Sequence, residues 1–213
     1  MIDQMIRCKD LMAYDHIGSL NEWFLKCPPE GKEKHWKDGR SAKETAKHWL
    51  HTIPSQFKSI LSELDLKFKI CSPEFVSRFD EYGGNGRNHD LVIITENIAG
   101  EKVLIAIESK ADEEFGPTIS EAIQNAEIRY QQNPRSNGLR RIQELRFALF
   151  GSHLDEQHLP LRYQLLTAVA GTLSEAKIQN ASKAIFIVQT FLSDETNWNN
   201  FHRNEDDLKL VCT

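Results

Sequence analysis

The stretch HDLVIITENIAGEKVLIAIESK (89–110) decides how this chain folds. HDLVIITE (89–96) and KVLIAIESK (102–110) are two β-rich runs joined by the turn NIAGE, and together they predict a hairpin. Upstream, LKFKIC (66–71) and EFVSRF (74–79) alternate or cluster in strand fashion, and EYGGNGRN (81–88) is turn chemistry, so the middle of the chain reads as an antiparallel meander. Downstream, KAIFIVQT (183–190) is a continuous apolar run of the kind a central parallel strand needs.

Helical periodicity surrounds these strands. Ser19 and Glu22 form a capping-box pattern ahead of Leu20, Trp23, Phe24 and Cys27, and Pro28 and Pro29 stop that helix. Ser41 and Glu44 repeat the pattern before Ala46, Trp49 and Leu50, and Phe57, Ile60, Leu61 and Leu64 extend a third stripe. Beyond Pro117, Ile119, Ala122, Ile123, Ala126 and Tyr130 mark one helix, and Ile142, Leu145 and Leu149 another. A further helix is expected at roughly 161–179. The order predicts an α/β sandwich with a mixed central sheet, an antiparallel meander plus a parallel strand, flanked by helices. Residues 1–213 read as one domain, with 1–40 as an N-terminal helical extension.

Composition sets the outer bounds. The 213 residues are 40% hydrophobic and 27% charged, near-average usage for one globular domain. A chain this long buries roughly 70% of its unfolded surface, so its core needs no disulfide or metal staple. Lys and Arg number 26 against 31 Asp and Glu, a net charge of −5, which disfavours a surface coated in basic residues for non-specific nucleic-acid binding. Cys8, Cys27, Cys71 and Cys212 form no C-x-x-C pair and read as reduced thiols. The longest aliphatic runs are about five residues, too short for a signal peptide or membrane span. The expected location is the cytoplasm, with no membrane partner.

The chemistry-bearing residues sit at one end of the hairpin. Asp90 opens the first strand, and Glu108 and Lys110 close the second. Strand alternation projects Glu108 and Lys110 to one face about 6–7 Å apart and sends Ser109 to the other. Two carboxylates and a lysine in one small site suit metal-assisted phosphodiester hydrolysis. Carboxylate oxygens and waters complete an oxygen shell for Mg²⁺ or Mn²⁺, and a lysine beside it orients water and stabilises the charged transition state. The chain holds five acidic-x-Lys triplets, and only the one at Glu108 ends an aliphatic strand that follows a strand opening with Asp.

Asp90, the 17-residue gap, Glu108-Ser109-Lys110 and the order of elements resemble the PD-(D/E)xK nuclease superfamily over about residues 40–190. The strings WKDGRS (36–41), ESKADEEFG (108–116) and RYQLL (162–166) resemble an uncharacterised bacterial family within it, a domain of unknown function. The resemblance implies a restriction-endonuclease-like three-layer sandwich, Asp90 and Glu108 as metal ligands, Lys110 as the catalytic lysine, and Gln164 or Arg162 near the site. The last two lie two residues apart on one helix, so at most one points at the metal. His89 stands where the superfamily has Pro. Some members add a glutamate from the first helix; Glu44 is the candidate here, and its capping-box position accounts for it equally well. Glu113 lies just past the strand, where a supporting role behind the metal ligands is one reading and an exposed charge in the turn is the preferred one.

The run from Arg129 to Arg146 holds five arginines and one acid, Glu144. Arg129, Arg135, Arg140 and Arg141 are the expected nucleic-acid contacts, and the acidic clusters 112–114 and 205–207 carry the negative balance. His48 and His51 have zinc-compatible spacing, but no third ligand stands at motif distance. Gly83, Gly84 and Gly86 precede a strand, so they are turn glycines rather than a phosphate loop. The resulting expectation is a Mg²⁺-dependent nuclease acting on DNA, in a defence or mobile-element context by family analogy. A protein partner for target recognition and a homodimer are compatible with it. The rival expectation is a catalytically inactive interaction module on the same fold, and a weaker third is a hydrolase of another phosphoester.

Overall fold

The computed structural model describes residues 6, 7, 11, 16–194 and 196–212. In chain order the elements are α1 (Leu20–Lys26), α2 (Ser41–Trp49), α3 (Ser55–Glu63), β1 (Lys67–Ser77), β2 (Arg87–Glu96), β3 (Lys102–Lys110), α4 (Ile119–Gln132), α5 (Gly138–Phe150), α6 (Tyr163–Ile178), β4 (Lys183–Thr190) and α7 (Trp198–Cys212). The strands form one sheet in the order β1-β2-β3-β4, antiparallel across β1/β2 and β2/β3 and parallel across β3/β4. The protein is an α/β three-layer sandwich with a mixed sheet.

Strand alternation makes the layers. Leu91, Ile93, Val103, Ile105 and Ile107 face one core with Trp23, Trp49, Phe57 and Leu61 of α1, α2 and α3. Val92, Ile94, Leu104 and Ala106 face a second core with Ala176 of α6. Outside it, α4 and α5 pack through Ile119, Ala122, Ala126, Ile142 and Leu145 against Leu166 of α6. Each fully buried aliphatic side chain contributes roughly 1.5–3 kcal/mol, so the strand centres supply stability and the strand ends are left to carry polar groups.

Several elements differ from the sequence reading. The two segments expected at 66–71 and 74–79 are one strand, β1, which tolerates Pro73 because it lies at the sheet edge. β4 is parallel as expected but is the opposite edge rather than central. Its run is apolar on both sides because Ile185 and Ile187 meet the first core while Ala184 and Phe186 meet the second. α7 has no counterpart among the expected elements. In the 1–40 segment, Ile17, Trp23 and Cys27 pack into the first core. Cys27 and Cys71 are both buried, and burial pushes the Cys71 thiol pKa upward. Cys8 and the Cys212 side chain lie outside the described residues.

Half of the capping-box pattern holds at α1: the Ser19 hydroxyl accepts the Glu22 N–H at 3.1 Å, while the Glu22 carboxylate accepts the Gly18 N–H at 2.8 Å instead of that of Ser19. It fails at α2. Arg40 is the N-cap there, and the Glu44 carboxylate accepts the Gly39 N–H at 3.0 Å, which frees Ser41 for another partner.

Candidate active site at the end of the meander

Strand alternation breaks at one level of the sheet, and the polar cluster sits there. On β1, Cys71 belongs to the first core and Phe75, four residues on, to the second. Between them Glu74 has φ of +48°, a left-handed conformation that costs an L-residue roughly 1–2 kcal/mol. On β2, Leu91 faces the first core while His89 packs against Gly171 of α6. The register pairs Pro73 with Leu91 and Phe75 with His89, which sets Glu74 beside Asp90. On the other side Leu91 pairs with Ile107, so Glu108 follows next to Asp90 on β3. Three neighbouring strands thus bring Glu74, Asp90 and Glu108 into one row.

Lys110, Glu108 and Gln164 are bonded to one another. The Lys110 ammonium lies 3.0 Å from Glu108 Oε1 and donates to Gln164 Oε1 at 3.2 Å. Gln164 Nε2 donates back to Glu108 Oε1 at 2.6 Å. Glu108 Oε2 is paired with Nη2 of Arg87, a residue the sequence reading missed. Asp90 Oδ2 accepts the Ser109 N–H at 2.6 Å, and Glu74 Oε2 accepts from Asn88 Nδ2 at 2.6 Å. The Lys110 ammonium also rests 5.1 Å from the centre of the Phe115 ring.

The other expected residues go elsewhere. Arg162 points away from the cluster: its Nε donates to Asp207 at 2.8 Å and its Nη1 to the Gly116 carbonyl at 2.6 Å. Glu44 serves the start of α2, with Lys47 2.8 Å away, and does not line the cavity at the cluster. Glu113, read as an exposed charge, is instead half-buried on that cavity and accepts from the Ser41 hydroxyl and from the N–H groups of Ala111 and Asp112. Burial pushes its pKa up, but these hydrogen bonds and Lys110 prevail and hold it below the usual value.

Among the expected nucleic-acid contacts, Arg129 donates to the Asn125 carbonyl and Arg135 is exposed. Arg140 pairs with Glu144 at 3.0 Å, and Arg141 pairs with Asp80 beside the Phe79 ring. The fifth arginine of the run, Arg146, is buried and donates to the Asp155 carbonyl, so it is a structural residue. Only Arg141 of the four lines a cavity that adjoins the cluster.

A cavity of about 300 Å³ opens over the row. Five carboxylates (Glu30, Glu74, Asp90, Glu108, Glu113) and three cations (Arg40, Arg87, Lys110) line it. A second cavity of about 460 Å³ shares Glu30, Glu74, Arg87 and Asn88 with it and extends to Arg141 and Tyr163. Burial, with the charges of Glu108 and Glu74, raises the Asp90 pKa well above the usual carboxylate range, against the pull of the Ser109 N–H and Lys110. Among the described residues no group of three or more His, Cys, Asp or Glu side chains forms a ready-made metal site. Mg²⁺ asks for less, since it keeps several waters and is bound through one or two carboxylates. A cavity lined by five carboxylates fits a divalent cation in its donor type.

Fold and site together define a three-layer α/β domain with a carboxylate–lysine–glutamine cluster where β3 ends. The chain belongs to the family described as a domain of unknown function, DUF6946, whose profile matches residues 16–209. No curated protein and no solved structure matches it.

Proposed function

We propose that this chain is a divalent-metal-dependent nuclease that hydrolyses phosphodiester bonds of DNA, in line with the PD-(D/E)xK resemblance. The observation that carries the reading is the convergence of Asp90, Glu108 and Lys110 on one cavity, with Gln164 bonded to both Glu108 and Lys110. Asp90 and Glu108 would hold Mg²⁺ or Mn²⁺. The bound ion supplies charge neutralisation at the phosphate and a more acidic water. Gln164 fixes the plane of the Glu108 carboxylate, and the Ser109 N–H fixes one oxygen of Asp90. Lys110 would stand beside the attacking water and orient it. The water oxygen bonds to phosphorus as the ester P–O bond breaks, the water's proton passes to solvent, and the leaving oxygen takes one from solvent. The ammonium offsets the charge that builds on the phosphate oxygens. A cytoplasmic location and a protein partner or second copy for target recognition go with this reading. The free, buried thiol of Cys71 accords with it, and among the described residues no helix is long and apolar enough to cross a membrane.

A second reading is a non-catalytic interaction module, favoured by the Arg87–Glu108 ion pair, which occupies an oxygen the metal would use. One experiment separates the two. The purified protein is incubated with plasmid, single-stranded DNA and RNA in Mg²⁺ or Mn²⁺, beside Lys110→Ala and Asp90→Asn. The nuclease reading expects cleavage that falls by about two orders of magnitude or more in both variants. No cleavage of any substrate, or equal cleavage by all three proteins, supports the module.

A further inference from the structure

We propose that Arg87 is a substrate-binding residue of this site: it holds Glu108 while the metal is absent, yields that carboxylate to the divalent ion, and turns to the phosphate of the phosphodiester. The inference rests on the nuclease reading and adds to it a residue that the sequence did not single out. Arg87 opens β2 three residues before Asp90, and its side chain is 12% exposed against 5% for Glu108. Glu108 Oε1 is already taken by Lys110 and Gln164, so Arg87 holds the one oxygen left for an ion. A guanidinium and a divalent cation compete for that oxygen. Metal–oxygen bonds to Mg²⁺ are about 2.0–2.1 Å long, and two positive charges a few ångströms apart repel strongly in a site with little water.

Two further observations say where the guanidinium goes. Arg87 Nε is buried and has no hydrogen-bond partner, so an edge of the donor fork is unsatisfied while Nη2 is on Glu108. Arg87 also lines both adjoining cavities, standing between the carboxylate row and the space that runs to Arg141. A planar fork with an unused donor in that position matches the bidentate geometry of a phosphate.

The test uses the full chain and two separate readouts. Mn²⁺ alone is titrated into wild type, Arg87→Ala and Arg87→Lys by calorimetry, and cleavage of the substrate found for the wild type is timed in parallel. Arg87→Ala is expected to bind Mn²⁺ roughly tenfold more tightly, because the competing cation is gone, and to cleave about a hundredfold more slowly. Arg87→Lys keeps the charge without the fork, so it is expected to bind Mn²⁺ like wild type and cleave slowly. Arg87→Gln replaces the alanine variant if thermal melting shows that the latter is unfolded. Wild type that binds Mn²⁺ and cleaves, beside an alanine or glutamine variant that binds no more tightly or cleaves at the wild-type rate, overturns the role of Arg87 alone. Absence of Mn²⁺ binding in every protein overturns the nuclease reading and this inference with it.

Discussion

His89 stands directly before Asp90 and is fully buried, with Nε2 2.8 Å from Ser77 Oγ. Burial, helped by the charge of Arg87, lowers its pKa from 6.5 to about 3, so the folded protein keeps this imidazole neutral. The unfolded chain takes up a proton below about pH 6.5 that the folded one refuses, so this stabilisation is complete above that pH and is lost as pH falls towards 3. Urea midpoints measured across the window are expected to drop for wild type, and to drop less for His89→Gln. Asp90, Glu108 and Lys110 were legible because they cap period-2 aliphatic runs, where a charge stands out against its neighbours. Glu74, Arg87 and Glu113 were not, because their places depend on cross-strand register and on a loop folding back. The nearest signal for Glu74 is the hairpin register itself, counted back from Asp90 across the turn, and it needs the pairing to be known first.

Between elements, α6 comes close to the sheet at Gly171. A Cβ there would lie 2.5 Å from Ser77 Oγ, 2.8 Å from His89 Nε2 and 3.1 Å from Arg87 Cβ. Gly171→Ala gains about 1 kcal/mol of helix propensity, yet it pushes α6 off β1 and β2 and is expected to cost a net 1–3 kcal/mol, roughly, in urea unfolding. α7 acts on the other end of the site. Asn200 Nδ2 donates to the Asp112 carbonyl at 2.7 Å, Asn204 Nδ2 to the Glu113 carbonyl at 2.9 Å, and the Arg162–Asp207 pair ties α7 to the start of α6. Asp207 and Arg162 are 10% and 12% exposed, so Asp207→Ala strands a buried guanidinium and is expected to destabilise by about 3 kcal/mol. A double-mutant cycle with Arg162→Ala checks that the loss is shared. α7 escaped the sequence reading because Trp198, Phe201, Leu208 and Val211 are spread among Asn, His, Asp and Glu, so its apolar stripe is thin. β3 and β4 match the expected 102–110 and 183–190 because uninterrupted apolar runs define strand limits sharply, whereas Ser72-Pro73-Glu74 resembles a break in what is one strand.

Across the whole molecule, the net charge of −5 does not sit on one face as free acid. Asp112 pairs with Arg40 at 2.9 Å and Glu114 with Arg203 on the surface, and Asp207 with Arg162 in the interior, so much of both acidic clusters is paired within the chain. Within the basic run Arg140 and Arg141 are paired in the same way, with Glu144 and Asp80. Metal-free affinity for a polyanion is therefore expected to be weak, and its salt slope shallow, near that of one or two phosphate contacts. Filter binding at several salt concentrations measures this. The parallel pairing of β4 carries a consequence for how the protein comes into being. β1, β2 and β3 are joined by short connections and pair as local hairpins, but β4 reaches β3 only after α4, α5 and α6 have crossed over the sheet. Closing so distant a contact is slow, so the meander and its carboxylate row are expected to form early, and β4 and Gln164 to arrive late. Pulse-labelled hydrogen exchange is expected to protect the amides of Val92 and Ile94 before those of Ile185 and Ile187. During that interval the outer edge of β3 is an open template for another chain, and the nascent protein is at its most prone to aggregate before its site is complete.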